Sequence, residues 1–366
     1  MSATQDEIWE NRSVFVTGHT GFKGGWLSLW LRRLNAQVHG YALDPPTLPC
    51  MFDVAQVARA LTTDTRGDIA DLTRVRHAME QAQPSVIFHL AAQPLVRESY
   101  RDPVGTLATN VLGTAHVLEA ARYIRSVQAI VVVTTDKVYA SKEQVHPYRE
   151  TDELGGYDPY SASKAAAELV AASYRASFFS YTKDDHPVQL ATARAGNAIG
   201  GGDWADERLV PDCLRAFEKQ ETVLLRQPRS IRPWQHVLDP LSGYLLLAER
   251  LLEPGASFYS TAWNFGPDTM GDATVGQVAQ ELARIWSGSA TVRIVHEDNP
   301  LPETKLLRLD TTQARVELGW RPRWSLSQAL QATVDWQQEW LSGEDMHYKT
   351  LEQVEDYEKA ESTLWR

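Results

Sequence analysis

The sequence predicts an α/β protein, a doubly wound parallel sheet with a smaller C-terminal domain. The first half of the chain alternates short apolar runs with longer stretches of helical spacing, a pattern typical of parallel strands joined by crossover helices. After about residue 197 the pattern changes, because the segment 196–211 is rich in glycine and charge and is predicted to be a long loop. The sheet is therefore expected in the first half and the second domain after it.

The apolar runs predict the strands in chain order. Each run is bounded by polar residues, and the runs fall at 13–18, 37–44, 85–92, 129–135 and 188–197. Apolar residues at helical spacing predict helices between them, at 24–36, 109–124 and 163–179. In the first of these helices, Trp26, Leu27 and Trp30 can share one face.

The later part of the chain predicts one more strand and several helices. The strand-like run lies at 258–268, an amphipathic helix at 271–288, and two helices around a turn at 313–343. We expect one domain to cover 1–196 together with a returning strand near 258–266. A second, smaller domain is expected to cover 197–257 and 267–350.

Composition and charge exclude several classes of protein. The 366 residues carry a net charge of −11, which argues against a surface that neutralises nucleic-acid phosphates. Cys50 and Cys213 are too few for a disulfide framework and show no paired spacing for zinc, so no metal site is predicted. The start of the chain has no leader pattern, and no stretch reaches about 18 apolar residues. We therefore expect a soluble, cytoplasmic protein that binds neither nucleic acid nor membrane.

The segment GHTGFKG places Gly18, Gly21 and Gly24 between the first predicted strand and the first predicted helix. Small residues at such a turn let the backbone approach a pyrophosphate, and the helix N-terminus supplies unpaired N–H groups. The loop predicts a Rossmann-type dinucleotide site, and a tight turn without a ligand is the alternative.

Two aspartates follow the next predicted strands. Asp44 ends the second strand, where a carboxylate can accept hydrogen bonds from ribose hydroxyls and repel a 2′-phosphate. This position favours NAD over NADP, unless Asp44 is only an exposed loop residue before two prolines. Asp68, in RGDIAD, is a candidate for a position near the adenine.

The segment YSASK places Tyr160 and Lys164 four residues apart, on one face of a helix. An ammonium near a phenol favours the phenolate and lowers the pKa of the tyrosine. Thr135 ends its strand and could bond the same substrate oxygen, with Thr134 as the rival. A surface pair on a helix is the alternative for the tyrosine and lysine.

Four motifs in this order resemble those of the extended short-chain dehydrogenase/reductase superfamily: VTGHTGFKG, HLAAQ at 89–93, TTDKVY at 134–139 and YSASK. Within it, the chain resembles the nucleotide-sugar 4,6-dehydratases over about residues 11–340. The segments GHTGFKGGWLSLWL and GYALDPPT are most similar to the dehydratases that act on CDP-glucose. His19, Lys23 and Lys137 carry this closer similarity.

The resemblance implies a lyase that converts CDP-glucose to CDP-4-dehydro-6-deoxy-glucose and water. Tyr160 matches the tyrosine that takes the proton of the 4-hydroxyl, Lys164 its activating lysine, and Thr135 the threonine that bonds the same oxygen. Asp136 would protonate the departing 6-hydroxyl, and Lys137, in place of a glutamate, would remove the carbon 5 proton. Both groups would then be neutral, through burial or proton exchange between them; a plain salt bridge is the alternative.

The resemblance also implies a bound NAD and a set of residues around it. The implied cofactor residues are Gly18, Thr20, Gly21, Phe22, Lys23, Gly24, Asp44, Asp68, Ile69, Leu90, Ala91, Ala92, Tyr160 and Lys164. The implied substrate residues are Ser99, Asn197, Arg208, Arg232 and Asn264, while Arg97 and Glu98 have no assigned role. The helices at 109–124 and 163–179 resemble a dimer interface, and deoxysugar biosynthesis, such as that of lipopolysaccharide O-antigen, is the implied pathway.

Other functions remain open at this level. A nucleotide-sugar 4-epimerase would share Tyr160, Lys164 and NAD but needs no acid and base at 136–137. A dehydratase could act on another nucleotide hexose. A non-catalytic NAD-binding regulator would have lost the tyrosine or the lysine, and both are present.

Overall fold

The computed structural model describes residues 5–142, 146–179, 187–225, 227–267, 272–286, 290–295 and 307–360. The ends of the predicted helix at 271–288 and parts of the predicted segment 267–350 lie outside these residues.

The strands of the described chain form one large sheet and three small two-stranded ones. Their bounds are β1 Ser13–Thr17, β2 Gln37–Ala42, β3 Leu61–Arg66, β4 Val86–His89, β5 Ala129–Val133, β6 Gln189–Ala195, β7 Ala198–Ile199, β8 Thr222–Leu225, β9 Ile231–Pro233, β10 Gln235–His236, β11 Ala262–Phe265, β12 Asp272–Thr274 and β13 Thr291–Ile294. The large sheet has seven strands in the order β11-β6-β5-β4-β1-β2-β3. Every pair in it is parallel, which confirms the predicted fold class.

Helices connect the strands and continue to the end of the described chain. Their bounds are α1 Gln5–Trp9, α2 Phe22–Arg33, α3 Met51–Val54, α4 Leu72–Ala82, α5 Val96–Arg101, α6 Pro103–Leu107, α7 Gly113–Ala121, α8 Pro159–Tyr174, α9 Leu209–Glu218, α10 Leu238–Leu251, α11 Val275–Trp286, α12 Leu326–Leu341 and α13 Met346–Lys359. Single π-helical turns follow α6 at Ala108–Leu112, follow α8 at Arg175–Phe179 and precede α12 at Ala314–Leu318.

The sheet is buried on both faces, as parallel sheets with crossover helices require. Residues of α2, α10 and α13 form one apolar core with one face of the sheet. Residues of α4, α7 and α8 form a second core with the other face. All five residues of β5 are buried, so this strand lies at the centre of the sheet, between the two helical layers. Its carboxyl end faces the second domain.

The second domain has its own apolar core, built mainly from α9, α11, α12 and β8. One helix departs from the predicted boundary: α10 lies within the segment 197–257, yet its apolar residues pack in the core of the large sheet. The exact division of the chain into two domains stays a prediction. The predicted returning strand is β11, which pairs with β6 at the edge of the large sheet.

Among the described residues, no helix combines the length and the apolar character that a bilayer crossing needs.

Candidate active site

The glycine loop is shaped by close backbone contacts. Gly18 has a left-handed φ of 79°, which favours glycine, and a Cβ there would lie 2.8 Å from the backbone nitrogen of Ala91. A Cβ at Gly24 would lie 2.1 Å from the carbonyl oxygen of Gly18. Gly21 begins α2 without a side-chain cap, and the first turn of α2 contains no acidic residue. The first N–H groups of this helix are therefore available to an anion.

The carboxyl ends of β2 and β3 lie beside this loop. The Thr20 hydroxyl donates to the carbonyl oxygen of Leu43 at 2.9 Å, which holds the loop against the segment after β2. Asp44 and Asp68 are both exposed at this edge, while Ile69 is buried. The structure thus brings the predicted adenosine residues to one edge of the sheet, next to the predicted pyrophosphate loop.

The segment after β4 forms the wall opposite the loop. Leu90, Ala91 and Ala92 are partly exposed, and the backbone N–H groups of Leu90 and Ala91 both donate to the Thr17 hydroxyl at 3.1 Å. His89 bonds the same hydroxyl at 2.7 Å, and burial lowers the pKa of this histidine to about 3. The wall is therefore fixed by polar contacts from β1.

The opening beyond β5 places Thr135, Asp136 and Lys137 together. Asp136 is 1% exposed; one carboxylate oxygen accepts a hydrogen bond from the Thr135 hydroxyl at 2.9 Å. The other oxygen has no hydrogen-bond partner among the described residues and packs on Gly196, where a Cβ would lie 2.2 Å away. Burial raises the pKa of Asp136, against the opposing charge of Lys137. A raised pKa is the direction that a proton donor needs, and the protonation state of Asp136 stays a prediction.

Lys137 differs from Asp136 in its surroundings. Its side chain is only partly buried, so the desolvation that we expected to act on both residues is much more complete for the aspartate. No ion pair within 4 Å joins the two side chains in the part of the chain that the structure describes. The plain salt bridge considered from the sequence is therefore not formed.

Tyr160 and Lys164 lie in the first two turns of α8, and both are buried. Desolvation raises the pKa of Tyr160 to about 12, and its hydrogen bond with Thr135 opposes this shift. The ammonium of Lys164 donates to the carbonyl oxygen of Val133 at 3.1 Å, and its predicted lowering of the Tyr160 pKa stays a prediction. Burial and the nearby charge of Lys23 lower the pKa of Lys164 to about 8.

Lys23 connects the glycine loop to the residues after β5. Burial, followed by the charge of Arg208, lowers its pKa to about 8, while Asp136 and Asp203 raise it. Lys23 was predicted from its motif as a cofactor residue only. Its charge influences the pKa values of both Asp136 and Lys164, so Lys23 lies among the charged groups near the end of β5.

Two predicted arginines approach the same space from the second domain. Arg208 forms an ion pair with Asp203 at 2.8 Å, and this pair raises the pKa of the arginine. The charge of Arg232, a buried residue, helps to lower the pKa of Asp136. Asn197 directly follows Gly196 and is therefore also beside Asp136. The structure thus gathers these three predicted residues near the end of β5.

The side chains of two other predicted substrate residues, Asn264 and Ser99, already form hydrogen bonds within the protein. Asn264 is fully buried; its amide oxygen accepts from the Tyr139 hydroxyl at 2.6 Å, and its amide nitrogen donates to the carbonyl oxygens of Tyr148 and Asp310. We therefore withdraw Asn264 as a substrate ligand, because its hydrogen-bonding groups hold loops of the protein together. Ser99 is also fully buried and donates to the carbonyl oxygen of Val96 at 2.6 Å, so its hydroxyl proton is not available to a substrate.

The charges of Arg97 and Glu98, which had no predicted role, are paired with neighbouring charges. Arg97 lies 3.5 Å from Glu207, and Glu98 lies 3.0 Å from Arg101. They form an ion-pair cluster between α5 and the loop before α9.

A buried network beneath the site was missed by sequence reasoning. Glu168 on α8 accepts hydrogen bonds from Thr134, from Thr192 and twice from Arg194. The network occupies the Thr134 hydroxyl, so Thr135 and not its rival is the threonine next to Tyr160. In the sequence, polar residues at the ends of β5 and β6 were the only indication of this buried network.

The comparisons with known proteins agree with this geometry. A CDP-glucose 4,6-dehydratase from Salmonella typhimurium is 47% identical over 96% of this chain and 98% of its own length. A dTDP-glucose 4,6-dehydratase from Streptomyces antibioticus is 30% identical over 88% of this chain and 92% of its own length.

Solved structures show the same fold. A UDP-glucose 4-epimerase from Thermotoga maritima matches with a TM-score of 0.77 at 23% identity, over 90% of this chain and 99% of that one. A dTDP-glucose 4,6-dehydratase from Streptomyces venezuelae matches with a TM-score of 0.75 at 24% identity, over 91% and 98%.

The family model described as GDP-mannose 4,6 dehydratase matches residues 15–333. This range includes the glycine loop, the residues after β5 and the tyrosine–lysine pair of α8. The chain therefore belongs to the GDP-mannose 4,6-dehydratase family.

Proposed function

We propose that this chain is a lyase that converts CDP-glucose to CDP-4-dehydro-6-deoxy-glucose and water. The observation that carries the proposal is the 47% identity to a CDP-glucose 4,6-dehydratase over nearly the full length of both chains. The arrangement of an acid, an amine and a phenol at the carboxyl end of β5 supports it. An epimerase shares the fold but has no use for the first two of these groups.

NAD is the cofactor of the proposed reaction, and the residues present fit it. The unpaired N–H groups of the first turn of α2 suit the pyrophosphate, and the exposed carboxylates of Asp44 and Asp68 suit the ribose and adenine. When bound, NAD would supply reversible oxidation, with a hydride passing from carbon 4 to the cofactor and later back to carbon 6. Leu90, Ala91 and Ala92 line the proposed place of the nicotinamide ribose.

Tyr160 is proposed to take the proton of the 4-hydroxyl, with Thr135 bonding the same oxygen. Only the phenolate form of Tyr160 can accept this proton, and burial raises the pKa of the phenol to about 12, so the step depends on stabilisation of the phenolate by a nearby positive charge. Lys164, fixed on the Val133 carbonyl, is proposed to stabilise the phenolate electrostatically.

Asp136 and Lys137 are proposed to carry out the elimination. Oxidation at carbon 4 acidifies the proton on carbon 5, which Lys137 removes. Asp136 donates a proton to the departing 6-hydroxyl, and one of its carboxylate oxygens has no hydrogen-bond partner among the described residues. The raised pKa of Asp136 supports its role as an acid.

Arg208 and Arg232 are proposed to bind the diphosphate of the substrate, with Asn197 beside them. A guanidinium binds phosphate through two parallel hydrogen bonds. The ion pair of Arg208 with Asp203 fixes the position of this guanidinium and leaves other N–H groups for a ligand. Cytidine selection has no residue assigned to it.

We also propose a homodimer or a higher homo-oligomer. Large apolar side chains are exposed on α6, the π turn after it and α8, including Val104 at 75%, Leu112 at 56% and Leu169 at 60%. Leu112 and Leu169 lie on the segments 109–124 and 163–179 that resemble a dimer interface, and Val104 lies just before the first of them. Light scattering of the purified protein measures the assembly directly.

A cytoplasmic location is also proposed, and a role in deoxysugar biosynthesis, including that of lipopolysaccharide O-antigen, is proposed from the resemblance of the motifs.

The test of the function is incubation of the purified protein and NAD with CDP-, dTDP-, GDP- and UDP-glucose, followed by identification of the products. We expect a 4-dehydro-6-deoxy sugar from CDP-glucose. Formation of the galactose isomer without loss of water would show an epimerase. Dehydration of another nucleotide sugar in preference to CDP-glucose would contradict the proposed substrate.

A further inference from the structure

An arginine faces the aspartate predicted to select the cofactor. Ala42, the last residue of β2, is paired in register with Arg66, the last residue of β3. Asp44 follows β2 by two residues, and its carboxylate lies 3.6 Å from the guanidinium of Arg66. Both side chains are thus at the sheet edge that the glycine loop borders, where Thr20 holds the carbonyl of Leu43.

Arg66 is held in this place by several contacts. Its guanidinium lies 4.5 Å from the centre of the Phe52 ring, donates to Asp64 at 2.9 Å and donates to the carbonyl oxygen of Leu43 at 3.4 Å. The side chain is 31% exposed, whereas that of Asp44 is 90% exposed. The arginine is therefore held by several contacts, whereas the aspartate beside it is almost fully exposed to solvent.

The charges around Arg66 decide what it can bind. Asp64 offsets part of its charge, and this carboxylate is held by hydrogen bonds with Arg66 and with His19, the latter at 2.8 Å. Asp44 adds a second negative charge on the exposed side of the arginine, which repels an anion. Without Asp44, the guanidinium would present free N–H donors to a phosphate, which it can bind bidentately.

We propose that Arg66 is a latent binding site for the 2′-phosphate of NADP, and that Asp44 alone keeps it closed. This inference rests on the proposed use of NAD. In dinucleotide-binding sheets, an acid at this edge bonds the ribose hydroxyls of NAD, and an arginine near it accommodates the 2′-phosphate of NADP. This chain holds both groups side by side, with the acid outermost.

The test is calorimetric titration of the full chain, freed of co-purified nucleotide, with NAD and with NADP. The parent is expected to bind NAD and to bind NADP much more weakly. Asp44→Ser is expected to tighten NADP binding about ten- to a hundred-fold, as expected for hydrogen bonds between a guanidinium and a phosphate. Asp44→Asn provides a second variant with the same loss of charge and a smaller change of shape.

Two further variants distinguish binding of the 2′-phosphate by Arg66 from a gain caused only by the loss of a negative charge. Asp44→Ser combined with Arg66→Met keeps an apolar stem over Phe52 and is expected to lose the gained NADP affinity. Asp68→Ser removes another exposed acid from the same edge, one without an ion pair to Arg66, and is expected to gain none. A gain that survives Arg66→Met, or no gain in either Asp44 variant, overturns the inference. Failure of the parent to bind NAD would instead overturn the proposed function.

Discussion

Replacement of Asp136 by asparagine is expected to stop elimination while leaving the earlier steps in place. Asparagine has the same shape and can still accept the Thr135 hydrogen bond, but it has no acidic proton to donate. The carboxylate is 1% exposed, and one of its oxygens has no partner among the described residues. The substitution therefore removes a proton donor with little change in packing.

The size of the effect follows from the role of Asp136. A positioned general acid contributes about 10²- to 10⁴-fold, which corresponds to about 3–5 kcal/mol of activation free energy. Product formation from CDP-glucose is expected to fall by this factor in Asp136→Asn. The raised pKa of Asp136 keeps the acid protonated to higher pH than usual. The parent rate is therefore expected to decrease as pH rises through that pKa.

Deuterium exchange distinguishes the steps. In deuterium oxide, oxidation at carbon 4 followed by proton removal by Lys137 introduces deuterium at carbon 5 of the recovered hexose. We expect Asp136→Asn to retain this exchange, measured by NMR, while 6-deoxy product decreases. The matched control is Asp239→Asn, which replaces another fully buried carboxyl whose pKa is raised by desolvation to about 6. If Asp136→Asn forms product at more than about a tenth of the parent rate, Asp136 is not the general acid.

Three further substitutions test separate parts of the site. Tyr160→Phe removes the acceptor of the 4-hydroxyl proton and is expected to abolish both product formation and carbon 5 exchange, while calorimetry still shows CDP-glucose binding; exchange at the parent level would exclude Tyr160. Lys137→Glu is expected to keep NAD binding and to change or abolish elimination, and dehydration at the parent rate would show that the base is another group. Glu168→Gln leaves the charge of Arg194 unpaired in a buried site and is expected to lower the free energy of unfolding by about 3–5 kcal/mol in urea titrations. Because the folded-state pKa of Glu168 is below its usual value near 4.5, this contribution is present above that value and is lost as pH falls through the folded-state pKa; an unchanged difference between parent and variant at acid pH would contradict it.

Most of the candidate site could be predicted from short local motifs in the sequence. The glycine loop, the residues after β5 and the pair Tyr160–Lys164 each depend on spacing within one segment and its flanking strand or helix. Such spacing survives folding, because a strand end or a helix face fixes the relative positions of nearby residues. The cofactor edge at Asp44 followed from the same argument.

Residues whose role depends on distant partners could not be predicted in this way. The resemblance implied that Asn264 is a substrate ligand, but Tyr139 and two carbonyl groups from other segments occupy its amide. Arg66 gave no signal, since only the pairing of β2 with β3 brings it beside Asp44. Lys164 was placed correctly on its helix, yet the carbonyl that it bonds comes from β5.

The choice between Thr134 and Thr135 shows most clearly what the sequence cannot predict. Neighbouring residues of a strand point to opposite faces, so the hydrophobic pattern normally tells which residue faces which side. In β5 all five residues are apolar and buried, so the pattern contains no alternation from which a direction could be read. The two threonines are distinguished only by their partners, Glu168 for Thr134 and Asp136 for Thr135. The sequence of a strand buried on both faces therefore does not predict which way the candidate catalytic residues after it point. For these two threonines, only the polar side chain that each one contacts in the folded protein determines the assignment.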